Sequence, residues 1–261
     1  TGAECNSWVT HPWIYEERLH PTNWVADRSI RFLKTRDRTR PFFLMSSFVR
    51  PHQPLDPPQA YFDMYKDKAL RLPADGDWDP QEGCGTAGRI SDSIFGCCDE
   101  SMRLDAMAGY YASITHVDHQ LGRILTALKE DGVYDDTIIL FTSDHGEMLF
   151  DHHLWRKVFP YEGSTHIPFL MHIGKHIADV IPHTVNGITE LRDVMPTLLD
   201  LCEIPIPDTV DGCSLKKCIF QEASFVRSYL HGEHSFHSQL SNHYIVTEQD
   251  KFIWYSETGV E

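Results

Sequence analysis

A long helical pattern leads directly into an apolar, β-branched run, and this order constrains the fold more than any other feature. Between residues 104 and 131, apolar side chains recur every three or four positions, and Gly132 follows as a natural helix C-terminus. The run at 137–142 (TIILFT) is typical of a strand buried in a parallel sheet. Helices alternating with such strands indicate an α/β fold, so we predict a mostly parallel sheet flanked by helices.

Weaker patterns on both sides extend this alternation. The further candidates are helices at 22–38 and 189–202 and strands at 42–48 and 167–173. Thr22 is a candidate N-cap, and Pro196 predicts a kink or a late helix start. From about residue 226 the pattern changes, and residues 244–247 and 251–255 predict an antiparallel hairpin. We therefore expect a partial α/β domain over residues 1–222 and the start of an antiparallel subdomain over 223–261.

Charge and composition exclude some classes of partner. The net charge of −15 over 261 residues argues against nucleic acid as the main partner. No apolar run approaches the roughly 18 residues that a membrane span needs, so we expect a soluble protein. Seven cysteines cannot all pair with one another, which favours a cytoplasmic over a periplasmic or secreted location but leaves the compartment unknown. Oligomeric state stays open.

The residues that follow the 137–142 run carry the most chemistry. The segment 143–157 reads SDHGEMLFDHHLWRK. Asp144 and His145 offer one oxygen and one nitrogen ligand to a divalent metal, and Lys157 offers a positive charge to an anionic substrate. Ligands of open α/β sheets collect outside the carboxyl ends of the strands, where this segment is expected.

A proline-rich loop after the second candidate strand presents His52. Prolines at positions 51, 54, 57 and 58 restrict this loop and are expected to hold the imidazole in place. A loop histidine is more often solvated than catalytic, but a rigid mount at a strand end favours a catalytic use. His52 would then donate a proton to a leaving-group oxygen or bind a substrate oxygen.

Other polar residues have competing interpretations. Two interpretations apply to Asp151, His152 and His153. They either hold the metal ligands in place through hydrogen bonds or bind a second metal themselves, and the first is the better interpretation. Glu162 and His166 are candidates for lining the pocket, and a role at a helix N-terminus is the alternative for Glu162. The histidines and carboxylate of the long helix, at positions 116, 118 and 119, are expected to make polar contacts or face solvent. The irregular stretch 66–102 is a candidate substrate lid.

Taken together, these motifs resemble the sulfatases of the alkaline phosphatase superfamily. The matching segments are PFFL…SFVRPHQP…PP at 41–58, YAS…VDHQLGRIL at 111–125, and SDHGEML…DHHLWRK…YEGS at 143–164. The resemblance covers roughly residues 20–255. It is specific because several motifs occur in the family's order, whereas each one alone is weak.

The resemblance implies a role for each matching residue. Asp144 and His145 would be two of the metal ligands, and Lys157 would contact the sulfate and the nucleophile. His52 would lie on the leaving-group side as an acid or an oxygen ligand. The metal of such enzymes is usually calcium and sometimes magnesium or manganese. The attacking group is a formylglycine hydrate made from cysteine or serine in a Cys/Ser-x-Pro-x-Arg motif.

Two family features are absent from this sequence. None of the seven cysteines begins a Cys-x-Pro-x-Arg motif, and the family's N-terminal pair of metal-binding aspartates is missing. We therefore expect an internal fragment of a longer sulfatase-like enzyme, with the nucleophile upstream and no activity in these residues alone.

Three functions remain after these observations. The first is cleavage of a sulfate ester, with a sulfated small molecule or glycan as the substrate. The second is hydrolysis of a phosphonate or phosphate ester, which the Asp-His pair suits equally well. The third is non-catalytic binding of an anion or glycan.

Overall fold

The structure, a computed structural model, describes residues 6–77, 79, 93–96, 98–224, 226–234, 241–256 and 259. The chain divides into two compact units, and each is described by itself. The first unit comprises Thr1–Thr137 and Glu147–Lys157, and the second comprises Ile138–Gly146 and Val158–Glu261. The predicted domain boundary at residue 222 lies within the second unit and stays a proposal.

Three α-helices are found in the described residues of the first unit: α1 (Pro21–Thr35), α2 (Gln59–Phe62) and α3 (Glu100–Glu130). Both α1 and α2 pack against α3. The predicted long helix is confirmed, and Gly132 follows it with a φ of +75°, the left-handed conformation that ends helices. Its regular apolar spacing over many turns made this element predictable.

The predicted start of α1 was wrong by two residues. His20 is the N-cap, its Nδ1 accepting a hydrogen bond from the Thr22 backbone N–H at 3.1 Å, and Pro21 occupies the first turn. Proline suits that position because it has no N–H to satisfy and its φ is already helical. The helix also ends at Thr35, before the predicted residue 38.

An aromatic cluster forms the core of the first unit. Trp8, Leu55, Met107, Phe150 and Trp155 are buried together with Ala106. The ring centroids of Phe150 and Trp155 lie 4.9 Å apart, and Trp8 packs edge-on to Trp155 at 6.2 Å. Burying a side chain of this size contributes on the order of 2–3 kcal/mol, so the segment that precedes Lys157 is firmly anchored.

Within its described residues, the second unit has two sheets and three short α-helices. Strands β1 (Ile138–Thr142) and β2 (Phe169–Ile173) form one sheet, and β3 (Leu230–His234), β4 (Asn242–Val246) and β5 (Lys251–Tyr255) form the other. The helices are α4 (Glu162–Thr165), α5 (Val194–Leu201) and α6 (Lys216–Ile219). Helix α5 starts late, as Pro196 predicted, and a 3₁₀ turn at Leu191–Asp193 leads into it.

The predicted parallel pairing of residues 137–142 was wrong for the pair of strands that the structure describes. Strand β1 pairs antiparallel with β2, and its residues are mostly half-buried, with Phe141 exposed. An apolar run predicts burial, but the direction of its partner depends on how the connecting chain returns. The segment between β1 and β2 brings the chain back antiparallel.

The predicted strand at 42–48 has no strand partner within the described residues. Its side chains nevertheless alternate between exposed and half-buried, as they do along a strand. Phe43 is 79% exposed and Met45 is 77% exposed. The local period of two is therefore that of a strand. A ladder needs a second strand, which an apolar run cannot supply by itself.

The C-terminal hairpin is confirmed. Strands β4 and β5 pair antiparallel with Tyr244 opposite Ile253, and β3 adds a third strand on the other edge of β4. Alternating side chains and the short polar connection between the strands made this element readable from the sequence. In the described part of the chain, none of the helices combines the length and hydrophobicity that a membrane span requires.

Candidate functional site

Lys157 and His52 lie together in the first unit. Lys157 Nζ is 2.8 Å from His52 Nε2, although 105 positions separate the two residues. The His52 Nδ1–H donates to the carbonyl oxygen of its neighbour Gln53 at 2.9 Å. A carbonyl can only accept, so Nε2 carries the lone pair and accepts from the lysine ammonium. The predicted substrate-binding residues therefore form one hydrogen-bonded pair.

A buried ion pair holds the loop that carries His52. Arg50 donates two parallel hydrogen bonds to the Asp56 carboxylate, at 2.7 and 2.9 Å, and both side chains are buried. Burial raises the pKa of Asp56, but hydrogen bonds and the positive charge from His20 and Arg50 outweigh it, so the pKa lies below its usual value. The sequence predicted rigidity from the prolines, and this bidentate pair adds a second constraint.

Glu147 links the segment that carries Lys157 to the loop that carries His52. Its Oε2 accepts a hydrogen bond from Gln53 Nε2 at 3.0 Å. Burial raises the pKa of this carboxyl, while hydrogen bonds from Gln53 and the backbone, and then the charge of Lys157, oppose the rise. Glu147 thus holds the residue beside His52 and lies within the electrostatic reach of Lys157. Sequence reasoning missed both Glu147 and Gln53, although each stands inside a motif it had singled out.

Asp144 and His145 lie in the second unit, directly after β1. The Asp144 side chain is 85% exposed, and its Oδ2 lies 3.6 Å from His145 Nε2. His145 Nδ1–H donates to the Gly146 carbonyl at 2.8 Å, which leaves the lone pair on Nε2. The carboxylate and the lone-pair nitrogen are therefore neighbours.

This pair fits a divalent metal. Two ligands on perpendicular bonds of 2.3–2.6 Å lie roughly 3.3–3.7 Å apart, and the observed separation of 3.6 Å falls in that range. The carboxylate oxygen suits calcium, which prefers oxygen ligands. An oxygen together with an imidazole nitrogen also suits manganese and related ions. Two ligands are fewer than any of these ions requires, so the donor set is partial.

Gly146 allows the chain to pass close to α4. A Cβ at this position would lie 2.1 Å from the Gly163 carbonyl oxygen. The Gly146 backbone N–H donates to the Ser164 carbonyl at 2.8 Å. Only a residue without a side chain permits this approach, so the glycine of the Asp-His-Gly segment sets the position of the residues before it.

The segment Asp151–His153 forms hydrogen bonds with the chain around Ala74 and Asp79 in the first unit. Asp151 Oδ1 accepts from the Ala74 backbone N–H at 2.7 Å, and His152 Nδ1 lies 3.1 Å from Asp79 Oδ2. His152 and His153 both have positive φ, so the backbone turns sharply between them. These contacts give Asp151 and His152 a structural role, and the expected support of the metal ligands by the three residues stays a prediction.

His116 has a more specific environment than the sequence indicated. It is 1% exposed, and its Nε2 lies 2.7 Å from Asn23 Oδ1. Its ring stacks on Tyr61 and meets His20 edge-on. A polar contact was expected, but full burial was not, because a histidine in an amphipathic helix does not by itself show which face is covered.

Glu162 has the structural role that was one of its two interpretations. It begins α4, and its carboxylate pairs with Lys251 and, at 3.0 Å, with His166 Nδ1. These partners lower the pKa of Glu162 against the opposing effect of burial. Helix N-termini favour a carboxylate in this position.

Comparisons with known proteins agree with the motifs. A family model described as Sulfatase matches residues 1–204, and one described as N-sulphoglucosamine sulphohydrolase, C-terminal, matches residues 150–260. The arylsulfatase of Clostridium perfringens is 52% identical over 261 residues, which are 100% of this chain and 54% of that protein. The choline-sulfatase of Rhizobium meliloti is 36% identical over 183 residues, covering 67% of this chain and 35% of that protein.

A solved structure shows the same fold. The phosphonate monoester hydrolase of Agrobacterium radiobacter superposes with a TM-score of 0.79 at 25% identity, over 98% of this chain and 56% of that one. The predicted alkaline-phosphatase-like α/β class is thereby confirmed. The chain belongs to the sulfatase family, a group of hydrolases within the alkaline phosphatase superfamily. It spans about half the length of the curated relatives it matches.

Proposed function

We propose that the protein is a sulfuric ester hydrolase that acts on a sulfated small molecule or glycan. Lys157 binds the anionic ester group, and His52 serves the leaving-group oxygen. Asp144 and His145 contribute to a divalent metal site. Membership of the sulfatase family supports the reaction class, and the geometry within each unit supports these assignments.

The observation that carries the proposal is the hydrogen bond between Lys157 Nζ and His52 Nε2 at 2.8 Å. A lysine ammonium has three N–H donors, and this bond uses one of them. We assign the others to oxygens of the sulfate group. Because the chain carries a net charge of −15, an anionic substrate must be attracted locally, and Lys157 supplies that charge.

His52 is oriented for contact with a leaving group. Its tautomer is set by the Gln53 carbonyl, so Nε2 is the nitrogen that exchanges protons on the side of Lys157. Glu147 holds Gln53, and Arg50 with Asp56 holds the rest of the loop. A positioned imidazole of this kind contributes about 10²- to 10⁴-fold to a rate when it transfers a proton in the transition state.

For the metal we propose Ca²⁺, with Mg²⁺ and Mn²⁺ as alternatives. Asp144 would supply an oxygen ligand and His145 its Nε2. A bound ion would supply positive charge that stabilises a negatively charged ester group. The family nucleophile is formylglycine, and the 261 residues contain no Cys-x-Pro-x-Arg motif from which it could be made. We therefore propose that a segment outside these residues provides it.

A second candidate, phosphonate monoester hydrolysis, is favoured by one finding. The phosphonate monoester hydrolase named above has the same fold at a TM-score of 0.79. Aryl sulfates and phosphonate monoesters both carry one negative charge, so one lysine cannot discriminate between them. The 52% identity to an arylsulfatase supports sulfate esters as our first candidate.

The test uses the full-length protein that contains these residues. We would measure kcat/KM for 4-nitrophenyl sulfate and for 4-nitrophenyl phenylphosphonate, in the parent protein and in Lys157→Ala. A higher kcat/KM for the sulfate, lost in the variant, is the expected result. A preference for the phosphonate would select the second candidate. Tight binding of a sulfated glycan without turnover of either ester would instead indicate non-catalytic binding of an anion or glycan.

A further inference from the structure

The C-terminal sheet carries a cluster of side chains that the proposed hydrolysis does not use. His231 and Glu233 lie two residues apart on β3, and His243 lies on β4 directly opposite Glu233. One ligand atom from each of the three lies within 4.8 Å of the others. We propose that His231, Glu233 and His243 form a second metal site, for a divalent transition metal, which we take to be Zn²⁺.

The strand ladder places all three side chains on the same face. Residues two apart on a strand point the same way, and directly opposed residues on neighbouring strands are cross-strand neighbours. The register that pairs Glu233 with His243 is fixed by the antiparallel ladder between β3 and β4. The geometry of the cluster is therefore built into regular structure, which holds ligands more accurately than a loop does.

The side chains are already oriented toward one another. The rings of His231 and His243 are parallel within 3°, with centroids 5.7 Å apart. His243 Nδ1 lies 3.6 Å from Glu233 Oε2. Tetrahedral zinc with bonds of 2.0–2.2 Å requires ligand atoms roughly 3.4 Å apart. The carboxylate and the His243 imidazole are close to this spacing, and the His231 ligand atom lies within 4.8 Å of both.

The donor set selects the kind of metal. Two imidazoles and a carboxylate are the ligands of several zinc sites that keep one position open, and imidazole suits Zn²⁺ far better than it suits Ca²⁺. Trp254 stacks on the other side of His243, with centroids 5.7 Å apart, and limits the positions of that ring. The site is exposed, so a metal can enter from solvent.

This cluster differs from the Asp144–His145 pair in chemistry, so the two can be tested separately. Isothermal titration calorimetry of the metal-free protein with Zn²⁺ measures the affinity for the metal and the number of sites. A pH of about 7.5 is suitable because free imidazoles are neutral there. Co²⁺ in place of Zn²⁺ adds a visible absorption that reports the ligand geometry. His243→Ala and His231→Gln are the test variants, and His176→Ala removes an exposed histidine outside the cluster.

The expected result is one Zn²⁺ site whose affinity falls at least tenfold in each test variant and is unchanged in His176→Ala. Added Ca²⁺ should not displace the metal. Circular dichroism would show that the variants keep their fold, and the two independent substitutions guard against one of them disturbing the sheet. Zn²⁺ binding that is equal in all four proteins, or that Ca²⁺ displaces, would overturn the proposal. Either outcome leaves the proposed sulfatase function unaffected.

Discussion

Lys157 Nζ lies 2.8 Å from His52 Nε2, and each side chain comes from a segment that buried residues hold in place. Phe150 and Trp155, buried in the aromatic cluster, fix the chain just before Lys157. The Arg50–Asp56 ion pair fixes the loop that carries His52. Either residue can therefore be changed with little effect on the other's backbone, which makes their roles separable by mutation.

Replacing Lys157 should abolish most of the activity of the full-length protein without unfolding it. Lys157→Ala removes the charge that we assign to the sulfate, and the loss expected for one such group is about 10²- to 10³-fold in kcat. Lys157→Arg, which retains the charge with a different shape, should recover only part of it. Lys68→Ala removes an exposed lysine of the same unit and should have no effect. Full activity in Lys157→Ala would reject the assignment.

Asp144→Ala should weaken metal binding. The carboxylate is 85% exposed and accepts a hydrogen bond from the neighbouring His145 backbone N–H, so its loss should not reduce the stability of the metal-free protein. The measurement is calcium and manganese titration of the full-length protein with thermal unfolding as a second readout. Asp179→Ala, an exposed carboxylate of the same unit, is the control. Unchanged metal occupancy in Asp144→Ala would show that this residue is not a ligand.

Gly146→Ala should destabilise the second unit. The added Cβ would lie 2.1 Å from the Gly163 carbonyl oxygen, so the backbone must shift, at a cost of about 1–3 kcal/mol. Gly122→Ala is a matched control with the opposite sign. A Cβ at that helical position meets nothing within 4 Å, so alanine should stabilise α3 by about 0.5–1 kcal/mol. Urea unfolding of both variants tests this, and equal free energies of unfolding would contradict it.

Acid should destabilise the first unit through His116. Burial, followed by the charges of His20 and His119, lowers the pKa of His116 to about 3 from its ordinary 6.5. The unfolded chain therefore takes up a proton at a pH at which the folded protein does not. Below pH 6.5 the free energy of unfolding should fall by about 1.4 kcal/mol per pH unit, until the folded histidine also titrates near pH 3.

The pH experiment compares the parent protein with His116→Gln. Glutamine can still form a hydrogen bond with Asn23 but does not titrate. The slope of the free energy of unfolding against pH should therefore decrease by the amount that corresponds to about one proton. The other ionisable groups around His116 are His20, Asp56, Glu17, Arg50, His119 and Tyr61. Asp56, with its lowered pKa, adds a loss only below its ordinary value of 3.8. An unchanged slope in His116→Gln would show that another of these groups carries the effect.

Helix α3, the late start of α5 and the C-terminal hairpin could be predicted because the information is local. Apolar residues at helical spacing, a proline near a helix start, and alternating side chains across a short polar connection each depend on neighbouring residues alone. The motifs were also local, and they identified the family and the four candidate residues His52, Asp144, His145 and Lys157.

Only the tertiary structure decided which distant residues meet. Several features depend on how the chain returns through space. They are the antiparallel partner of β1, the lack of a strand partner for 42–48 among the described residues, the burial of His116 and the contact of Glu147 with Gln53. The cluster of His231, Glu233 and His243 exists because one strand register places Glu233 opposite His243. Local pattern specifies an element and its covered face, whereas the partner of that face is set by the packing of the whole unit.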